Sequence, residues 1–105
     1  MSDLDSRILS SLGLCSKAGK LIYGVPMIIE AMRKGKKIYL VLEAQDTSDN
    51  THKKITDKCN FYGVERIKLE FDSDELSSSV GKSSSLAAVA VVDEGFYKMI
   101  KKYFD

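Results

Sequence analysis

Two unbroken apolar runs, Ile38–Leu42 and Leu86–Val92, constrain the fold more than any other feature of the sequence. A strand with one face in water alternates apolar and polar residues, whereas a strand covered on both faces is apolar throughout. Both runs have the length of a strand and fall well short of the roughly 18–20 apolar residues that span a bilayer. We therefore predict two central strands, each covered by helices on both faces.

Helical periodicity precedes the first of these runs. A first helix is predicted from apolar residues at helical spacing, namely Leu4, Ile8, Leu12 and Cys15. Gly19 suits the left-handed position that follows a helix end. A second helix is predicted to begin near Val25, with Pro26 in its first turn, where proline is tolerated, and to stop before Gly35. Between the two helices, Leu21–Tyr23 is predicted to form a short edge strand.

A third helix is expected after the first apolar run. The segment Thr47–Thr51 contains turn and N-capping residues, and Gly63 provides a stop signal. We predict that Ile55, Cys59 and Tyr62 face inward from this helix.

Three further elements continue the alternation. Residues 66–71 alternate apolar and charged side chains, which predicts a strand with one polar face. Asp72 and Glu75 match a capping box and predict a short helix that reaches about Val80. Apolar residues at helical spacing between Phe96 and Tyr103 predict a closing helix. The fold class is therefore α/β, with helices on both faces of a small mixed sheet of about four strands.

The net charge excludes one broad class of nucleic-acid binder. The 105 residues include 16 Lys+Arg and 15 Asp+Glu, for a net charge of +1. A histone-like protein, which holds nucleic acid by bulk positive charge, needs a far larger excess. A localised nucleic-acid site stays compatible with this total, because charges can be segregated along the chain.

The length of 105 residues predicts one domain, residues 1–105, because domains cluster near roughly 100–150 residues. Cysteine usage and the N-terminal residues predict a cytoplasmic protein. Cys15 and Cys59 are far apart in the sequence and have no histidine at metal-ligand spacing. We expect reduced thiols rather than a disulfide or a zinc site. The start, Met1–Asp5, is acidic, unlike the basic start of a secretory signal. No metal, cofactor or membrane partner is expected.

The serine-rich segment Ser77–Ser85 shares only part of the pattern of a phosphate-binding P-loop. It contains Gly81 followed by lysine and serine, but the pattern needs a glycine five residues earlier, where this chain has Leu76. The segment also precedes a predicted strand, so no helix N-terminus would face a phosphate. We interpret it as a turn between a helix and a strand.

A carboxylate cluster follows the first apolar run. Glu43, Asp46 and Asp49 lie at a strand end, where α/β proteins commonly place ligands. Asp49 has a ready role as a helix cap, and no nucleophile or histidine is close in sequence to the other two. His52, the only histidine, is expected to be exposed on the surface. Without a second histidine, a metal site or a catalytic triad has little support, so an enzyme ranks last and no catalytic residue is predicted.

Positive charge is concentrated between residues 16 and 37. The cations of this basic segment are Lys17, Lys20, Arg33, Lys34, Lys36 and Lys37, against Glu30 alone, which gives +5 here and −4 elsewhere. The cations flank a loop at Gly24, where a glycine lets another backbone approach a helix N-terminus whose amides could bind phosphates or base edges. A solvated helix face is the alternative interpretation, and both stay open.

The chain also carries short motifs in a recognisable order. They are Leu12–Leu14, Lys17–Lys20, Gly24, Arg33–Lys36, Leu42–Asp46, Asn50–Lys54 followed by Cys59, Glu75–Leu76, Val80–Lys82 and Val91–Phe96. Their order and spacing resemble the kink-turn RNA-binding ribosomal protein family, the L7Ae and L30e group of the large subunit, and its small bacterial paralogues in particular. The resemblance extends from about Leu4 to Phe104. It implies a three-layer α-β-α sandwich that binds sharply bent RNA.

The resemblance implies two RNA-contacting loops. The first contains Gly24, Val25, Pro26 and Met27, and the second contains Lys82, Ser83, Ser84, Ser85 and Leu86. Together with Lys17, Lys20, Arg33 and Lys34 of the basic segment, these are the predicted RNA-binding residues. A kink exposes sheared pairs and an extruded base, and proteins read RNA at such irregular features.

Two functions of different classes follow. The first is a non-enzymatic RNA-binding protein, ribosomal or ribosome-associated, that recognises kinked or internally looped RNA. Its partners would be a structured ribosomal or regulatory RNA and the ribosome. The alternative is a protein-interaction module that retains the fold with a degraded RNA site. In that case Val25–Met27 would be an apolar contact surface, since it replaces the polar pair of well-studied kink-turn binders. The sequence leaves the identity of the RNA and the oligomeric state open.

Overall fold

The computed structural model describes residues 2–105 and shows helices alternating with strands, as predicted. The elements are α1 (Asp3–Lys17), β1 (Leu21–Tyr23), α2 (Val25–Arg33), β2 (Leu40–Glu43), α3 (Asp49–Tyr62), β3 (Arg66–Lys68), α4 (Ser73–Ser79), β4 (Ala88–Val91) and α5 (Glu94–Lys101). A 3-10 turn, Lys102–Phe104, follows α5. Within residues 2–105 no helix combines the length and the apolar character needed to cross a membrane.

The four strands form one mixed sheet in the order β1-β4-β2-β3. Strand β4 pairs antiparallel with both β1 and β2, and β2 pairs parallel with β3. All residues of β2 and β4 are buried, which confirms the prediction that the two apolar runs form central strands. Strand β1 lies at an edge of the sheet, also as predicted.

Helices cover both faces of the sheet and enclose two cores. On one face, α1, α4 and α5 contribute Leu12, Leu76 and Ile100 to the first core. On the other face, α2 and α3 contribute Ile28 and Ile55 to the second core. The three-layer α-β-α sandwich is therefore confirmed. Amphipathic helices can bury their apolar sides against a sheet that is apolar on both faces.

Three strands are shorter than the apolar patterns that predicted them. Strand β2 begins at Leu40, and β3 ends at Lys68 although Leu69 and Phe71 are both only 3% exposed. Beyond β3 the backbone keeps isolated hydrogen bonds to the β2 side: the Leu69 N–H donates to the Glu43 carbonyl at 2.7 Å. Strand β4 likewise starts after its apolar run begins. The apolar residues of the sequence mark where side chains are buried. Burial extends beyond the residues that pair as regular strands.

The predicted inward orientation of Tyr62 is wrong. Ile55 and Cys59 are buried as predicted, but Tyr62 is 38% exposed and packs edge-on against Phe61, with ring centroids 4.9 Å apart. Tyr62 lies in the last turn of α3, before Gly63 turns the chain in the left-handed region at φ 68°. Helical spacing gives the direction of a side chain but not whether the core extends as far as the last turn.

Capping side chains define the starts of α3 and α4. Ser48, and not Asp49 as predicted, caps α3: its Oγ accepts a hydrogen bond from the Thr51 N–H at 3.3 Å. The predicted capping box of α4 is confirmed. Asp72 Oδ1 accepts from the Glu75 N–H at 2.9 Å, and Glu75 Oε1 accepts from the Asp72 N–H at 3.2 Å.

Removing the capping box should destabilise the protein. We expect Asp72→Ala to lower the free energy of unfolding by about 1 kcal/mol, because the first amides of α4 lose an acceptor. Urea denaturation followed by far-ultraviolet circular dichroism measures this change. Asp57→Ala is the matched control, since Asp57 makes an exposed ion pair with Lys53 on α3 and should change stability very little. Equal effects of the two substitutions would contradict the role of the cap.

Candidate functional site

The antiparallel pairing of β1 with β4 brings the two predicted loops together. Strand β1 ends beside the start of β4. The loop after β1 and the loop before β4 therefore lie at the same edge of the sheet, the one formed by these strand ends. The Gly24 N–H donates to the Ala88 carbonyl at 2.9 Å. A Cβ placed on Gly24 would lie 3.8 Å from Leu86 Cδ2. We call the surface formed by residues 24–27 and 82–86 the loop edge.

The first loop presents a helix N-terminus. Gly24 precedes α2 with φ 84° and ψ 150°, and no side chain caps the helix. Val25, one of the predicted RNA-binding residues, is only 8% exposed. It can therefore contact a ligand through its backbone but not through its side chain. Pro26 is exposed, and Met27 is 61% exposed. The loop therefore exposes the apolar Met27 side chain to solvent, next to backbone amides that no side chain caps.

The second loop is held by α4. The Ser77 Oγ accepts a hydrogen bond from the Leu86 N–H at 2.7 Å, and the Ser77 carbonyl accepts one from the Lys82 N–H at 2.9 Å. The Ser85 hydroxyl bonds the Asp74 carboxylate. Both ends of the loop are thus fixed to one helix, and its middle residues, Ser83 and Ser84, stay exposed.

Lys82 is a predicted cation that lies at the loop edge. Its Nζ is 4.2 Å from the centroid of the Tyr23 ring, a cation–π contact. The Tyr23 hydroxyl lies 2.6 Å from Ser16 Oγ, which donates to the Val80 carbonyl at 3.0 Å. These contacts join the end of α1, the end of β1 and the second loop. They hold a positive charge beside the first loop.

The structure does not bring Lys20, Arg33 or Lys34 to this edge. Leu21 and Leu40 both pair with Val91, so β1 and β2 begin at the same edge of the sheet, opposite the loop edge. Lys20 immediately precedes β1 and therefore lies at that opposite edge. Lys17 ends α1 next to Ser16, whose hydroxyl bonds the Val80 carbonyl two residues before the second loop, and it lines a groove with Ser79 between α1 and α4. Their contact with a ligand stays a prediction.

Arg33 and Lys34 lie at the far end of α2. At 1.5 Å per residue they are roughly 12 Å along the helix axis from the first loop. Both pair with Glu30, whose carboxylate is 3.1 Å from Arg33 Nη1 and 3.7 Å from Lys34 Nζ. Exposed pairs of this kind are weak, but Glu30 offsets part of the positive charge here. The role of these two cations also stays a prediction.

Glu43 anchors an ion network that the sequence reasoning missed. Its side chain is fully buried, and its carboxylate accepts hydrogen bonds from Arg66 Nη1 at 2.8 Å and from His52 Nδ1 at 2.7 Å. His52 is therefore not a free surface residue as expected, although its side chain is 39% exposed. Glu43 directly follows an apolar run that forms a central strand, and a glutamate buried there requires charged or hydrogen-bonding partners. That position in the sequence could have predicted the network. Within residues 2–105 the side-chain hydrogen bond of the imidazole goes to Glu43 and not to a hydroxyl or a thiol.

The remaining carboxylates of the cluster serve separate purposes. Asp46 accepts from the Ser73 N–H at 2.9 Å and from the Ser73 hydroxyl at 3.0 Å, and the backbone donor lowers the pKa of the Asp46 carboxyl. Asp49 lies in the first turn of α3, where the helix dipole favours a negative charge. In the described part of the chain no group of three acidic, histidine or cysteine side chains is placed to hold a metal ion.

Both cysteines are free and buried. Burial raises the pKa of the Cys15 thiol to about 12 and that of the Cys59 thiol to about 11. Both side chains are neutral thiols near pH 7, and thiols are poor nucleophiles and poor metal ligands.

Comparison with known proteins assigns the family. The sequence model of the Ribosomal protein L7Ae/L30e/S12e/Gadd45 family matches residues 6–101. The chain belongs to this family. The resemblance inferred from the motifs of the sequence is thereby confirmed.

Two similar proteins are bacterial members of comparable length. RNA-binding protein YlxQ of Bacillus subtilis (strain 168) is 39% identical over 94 residues, which cover 90% of this chain and 91% of that protein. RNA-binding protein YlxQ of Enterococcus faecium is 34% identical over 99 residues, which cover 94% of this chain and 92% of that protein.

Solved structures share the fold of this L7Ae-family protein. A protein of unknown function from Bacillus halodurans superposes with a TM-score of 0.84 at 28% identity, covering 94% of this chain and 97% of the other. The Giardia lamblia 15.5kD RNA binding protein superposes with a TM-score of 0.77 at 14% identity, covering 98% and 86%. The second likeness is one of fold alone.

The backbone of Gly24 predicts a cost for any side chain in this L7Ae-family protein. We expect Gly24→Ala to lower the free energy of unfolding by about 1–3 kcal/mol, because φ 84° with ψ 150° is a region that only glycine occupies readily. The new methyl group itself would have room. Gly19→Ala, at φ 71° with no atom within 4 Å, is the comparison and should cost about 1 kcal/mol. Unchanged stability of Gly24→Ala in urea denaturation would contradict the strain.

The Glu43 network gives a second prediction. Arg66→Ala should lower the free energy of unfolding by about 3 kcal/mol, because it leaves a buried carboxylate without its guanidinium partner. Adding Glu43→Gln to Arg66→Ala should recover part of the loss, since the buried charge is then gone. Lys53→Ala, which breaks only an exposed pair, is the control. A double variant that is less stable than Arg66→Ala would argue against this explanation.

Proposed function

We propose that this protein is a non-enzymatic RNA-binding protein, ribosomal or ribosome-associated, that recognises kinked or internally looped RNA at the loop edge. The observation that carries the proposal is the hydrogen bond from the Gly24 N–H to the Ala88 carbonyl, at 2.9 Å, where β1 pairs with β4. It joins two loops that are separate in sequence into one surface. Two relatives that match nearly the whole chain are named RNA-binding proteins, which supports the same function. Residues 1–105 would act as one RNA-binding domain.

The start of α2 offers donors to a phosphate or a base edge. The first amides of a helix have no intrahelical partner, and the helix dipole places partial positive charge there. In α2 these amides belong to Val25 and Met27, because Pro26 has no N–H. Amides at a helix N-terminus bind anions such as phosphate, and proteins read RNA at irregular, unpaired features such as a kink.

The side chains around these amides suit an unstacked base. Met27 is exposed and Leu86 is half-buried, so both present apolar surface at the loop edge. An extruded base has a flat apolar face that can cover such side chains. Lys82 supplies a cation for a neighbouring phosphate. Because Lys20, Arg33 and Lys34 lie away from this edge, binding here would depend on shape more than on charge.

A second candidate function is the protein-interaction module. The observation that favours it is the exposure of Met27, at 61%, beside the exposed Pro26. An exposed methionine on a helix start is a plausible element of a protein contact as well as of an RNA contact. The two functions differ in what co-purifies with the protein and in the response to salt.

Titration of a kink-turn RNA against a plain duplex tests the RNA-binding function. We expect the kink-turn RNA to bind more tightly than the duplex, and Leu86→Ser to weaken that binding by about tenfold through lost apolar contact. Lys82→Ala should reduce the log–log salt slope by about one unit, the value for one phosphate contact. Lys102→Ala, an exposed cation outside the loop edge, is the control and should leave both quantities unchanged.

Two results would contradict the proposal. Equal affinity for the kink-turn RNA and the duplex would remove the recognition of kinked RNA. A nucleic-acid-free preparation that forms stable dimers and binds neither RNA would favour the protein-interaction module.

A further inference from the structure

A cleft lies at the edge of the sheet opposite the loop edge. It has a volume of about 250 Å³. The chain segments just before β2 and β3 form it, together with the last turns of α2 and α3. The lining residues are Met32, Gly35, Lys36, Lys37, Ile38, Tyr62, Gly63 and Val64. We call it the lysine cleft.

The lysine cleft carries uncompensated positive charge. The ion pairs formed within residues 2–105 include neither Lys36 nor Lys37. The carboxylate next in sequence to the cleft, Glu65, is bound elsewhere: Lys101 Nζ lies 3.0 Å from it, and the Tyr97 hydroxyl donates to it at 2.7 Å. These two hydrogen bonds lower the pKa of Glu65, which keeps it ionised and committed to its partners. Two lysines are therefore free to bind an anion.

Aromatic rings border the same cleft. Tyr62 lines it, and Phe61 beside it is 80% exposed, which is unusual for a phenylalanine. Lys37 Nζ also lies 5.1 Å from the centroid of the Tyr39 ring, which is half-buried, does not line the cleft and stacks on Tyr97. Cations interleaved with exposed aromatic rings are the pattern by which proteins hold single-stranded nucleic acids, through phosphate contacts and base stacking.

The C-terminal ends of α2 and α3 determine whether the base or the phosphate of a nucleotide would lie inside the cleft. The last turns of α2 and α3 present carbonyl oxygens and the negative ends of their dipoles, which disfavour a phosphate inside the cleft. Some of these carbonyls already accept backbone hydrogen bonds, as Met32 does from Gly35 and Cys59 does from Val64. A carbonyl oxygen has a second lone pair that can accept from the amino group of a base. The cleft is also smaller than the roughly 300–1,000 Å³ of ordinary ligand pockets, so it suits one ring system rather than a whole cofactor.

We propose that the lysine cleft binds one nucleotide of a single-stranded RNA segment, with its base against Tyr62 and its flanking phosphates at Lys36 and Lys37. This proposal rests on the proposed function, because the segment would belong to the RNA that is bound at the loop edge. The protein measures 34 × 29 × 27 Å, so the segment must cross a distance of that order. At roughly 3.4 Å per stacked nucleotide, about ten nucleotides suffice.

The experiment compares three RNA probes. They are the kink-turn RNA alone, the same RNA with a single-stranded extension of about ten nucleotides, and the free extension. We expect the extension to tighten binding of the wild-type protein by about tenfold, in the range of one stacked base. Tyr62→Ala should abolish this gain, while Tyr62→Phe should keep it because the ring is retained. The free extension should bind weakly and lose affinity in Tyr62→Ala.

Charge at the cleft is tested by a double substitution. Lys36→Ala with Lys37→Ala should remove the gain and lower the salt slope for the extended RNA by about 1.4, at about 0.7 per phosphate of a single strand. Lys98→Ala with Lys102→Ala removes the same charge from α5 and the turn after it, and should retain the gain. Thermal unfolding of each variant confirms that it is folded.

The outcomes separate the two proposals. If the wild-type protein prefers the kink-turn RNA to a duplex but gains nothing from the extension, the cleft proposal is overturned and the proposed function stands. The same follows if the gain persists in both Tyr62→Ala and the double lysine variant. If the kink-turn RNA binds no better than a duplex but the free extension binds in a Tyr62-dependent manner, the loop-edge function fails. The cleft then binds single-stranded RNA by itself, and its link to RNA at the loop edge is overturned.

Discussion

The register of β1 against β4 is the constraint on which the loop edge depends. Strand β4 alternates two residue sizes: Val89 and Val91 face the core with α1, whereas Ala88 and Ala90 face the core with α2. A slip by one residue would exchange these faces and place valines where only alanines fit. The register is therefore fixed by packing. Because β1 pairs with β4 in that register, Gly24 must lie beside the loop that ends at Leu86.

The small face of β4 also explains how a charge is buried in the sheet. Ala88 is the β4 partner of Glu43, so the neighbour of the buried carboxylate is a methyl group. The carboxylate reaches Arg66 of β3 and His52 of α3. A buried ion contributes little net stability, but removal of either partner is costly, so the network specifies how α3 and β3 are placed relative to β2. The loop between β2 and α3 thereby gains a fixed position at the end of the sheet where the loop edge lies.

The sequence predicted the order and type of the elements because each signal was local. Unbroken apolar runs identified the central strands, and the Asp72 capping box identified α4. Partners from distant segments were not predictable in this way: Glu43 takes Arg66 from another strand, and its need for a partner does not say which residue supplies it. The predicted inward orientation of Tyr62 was wrong because helical periodicity does not show where a core ends. The contiguous basic segment looked like one site, yet the sheet separates Lys20 from Gly24 by the length of β1.

The division of the basic segment changes what the net charge means. Lys82 supplies the loop edge with a cation from outside that segment, whereas Lys36 and Lys37 lie at the opposite edge. Each edge alone offers few ionic contacts, which fits a chain of net charge +1. An RNA that contacts both edges would bind the second one intramolecularly, at the high effective concentration set by its tether. Two weak contacts joined by one strand of RNA would then give tight binding without the large positive charge of histone-like proteins. Such binding would also depend on the shape and the length of the RNA.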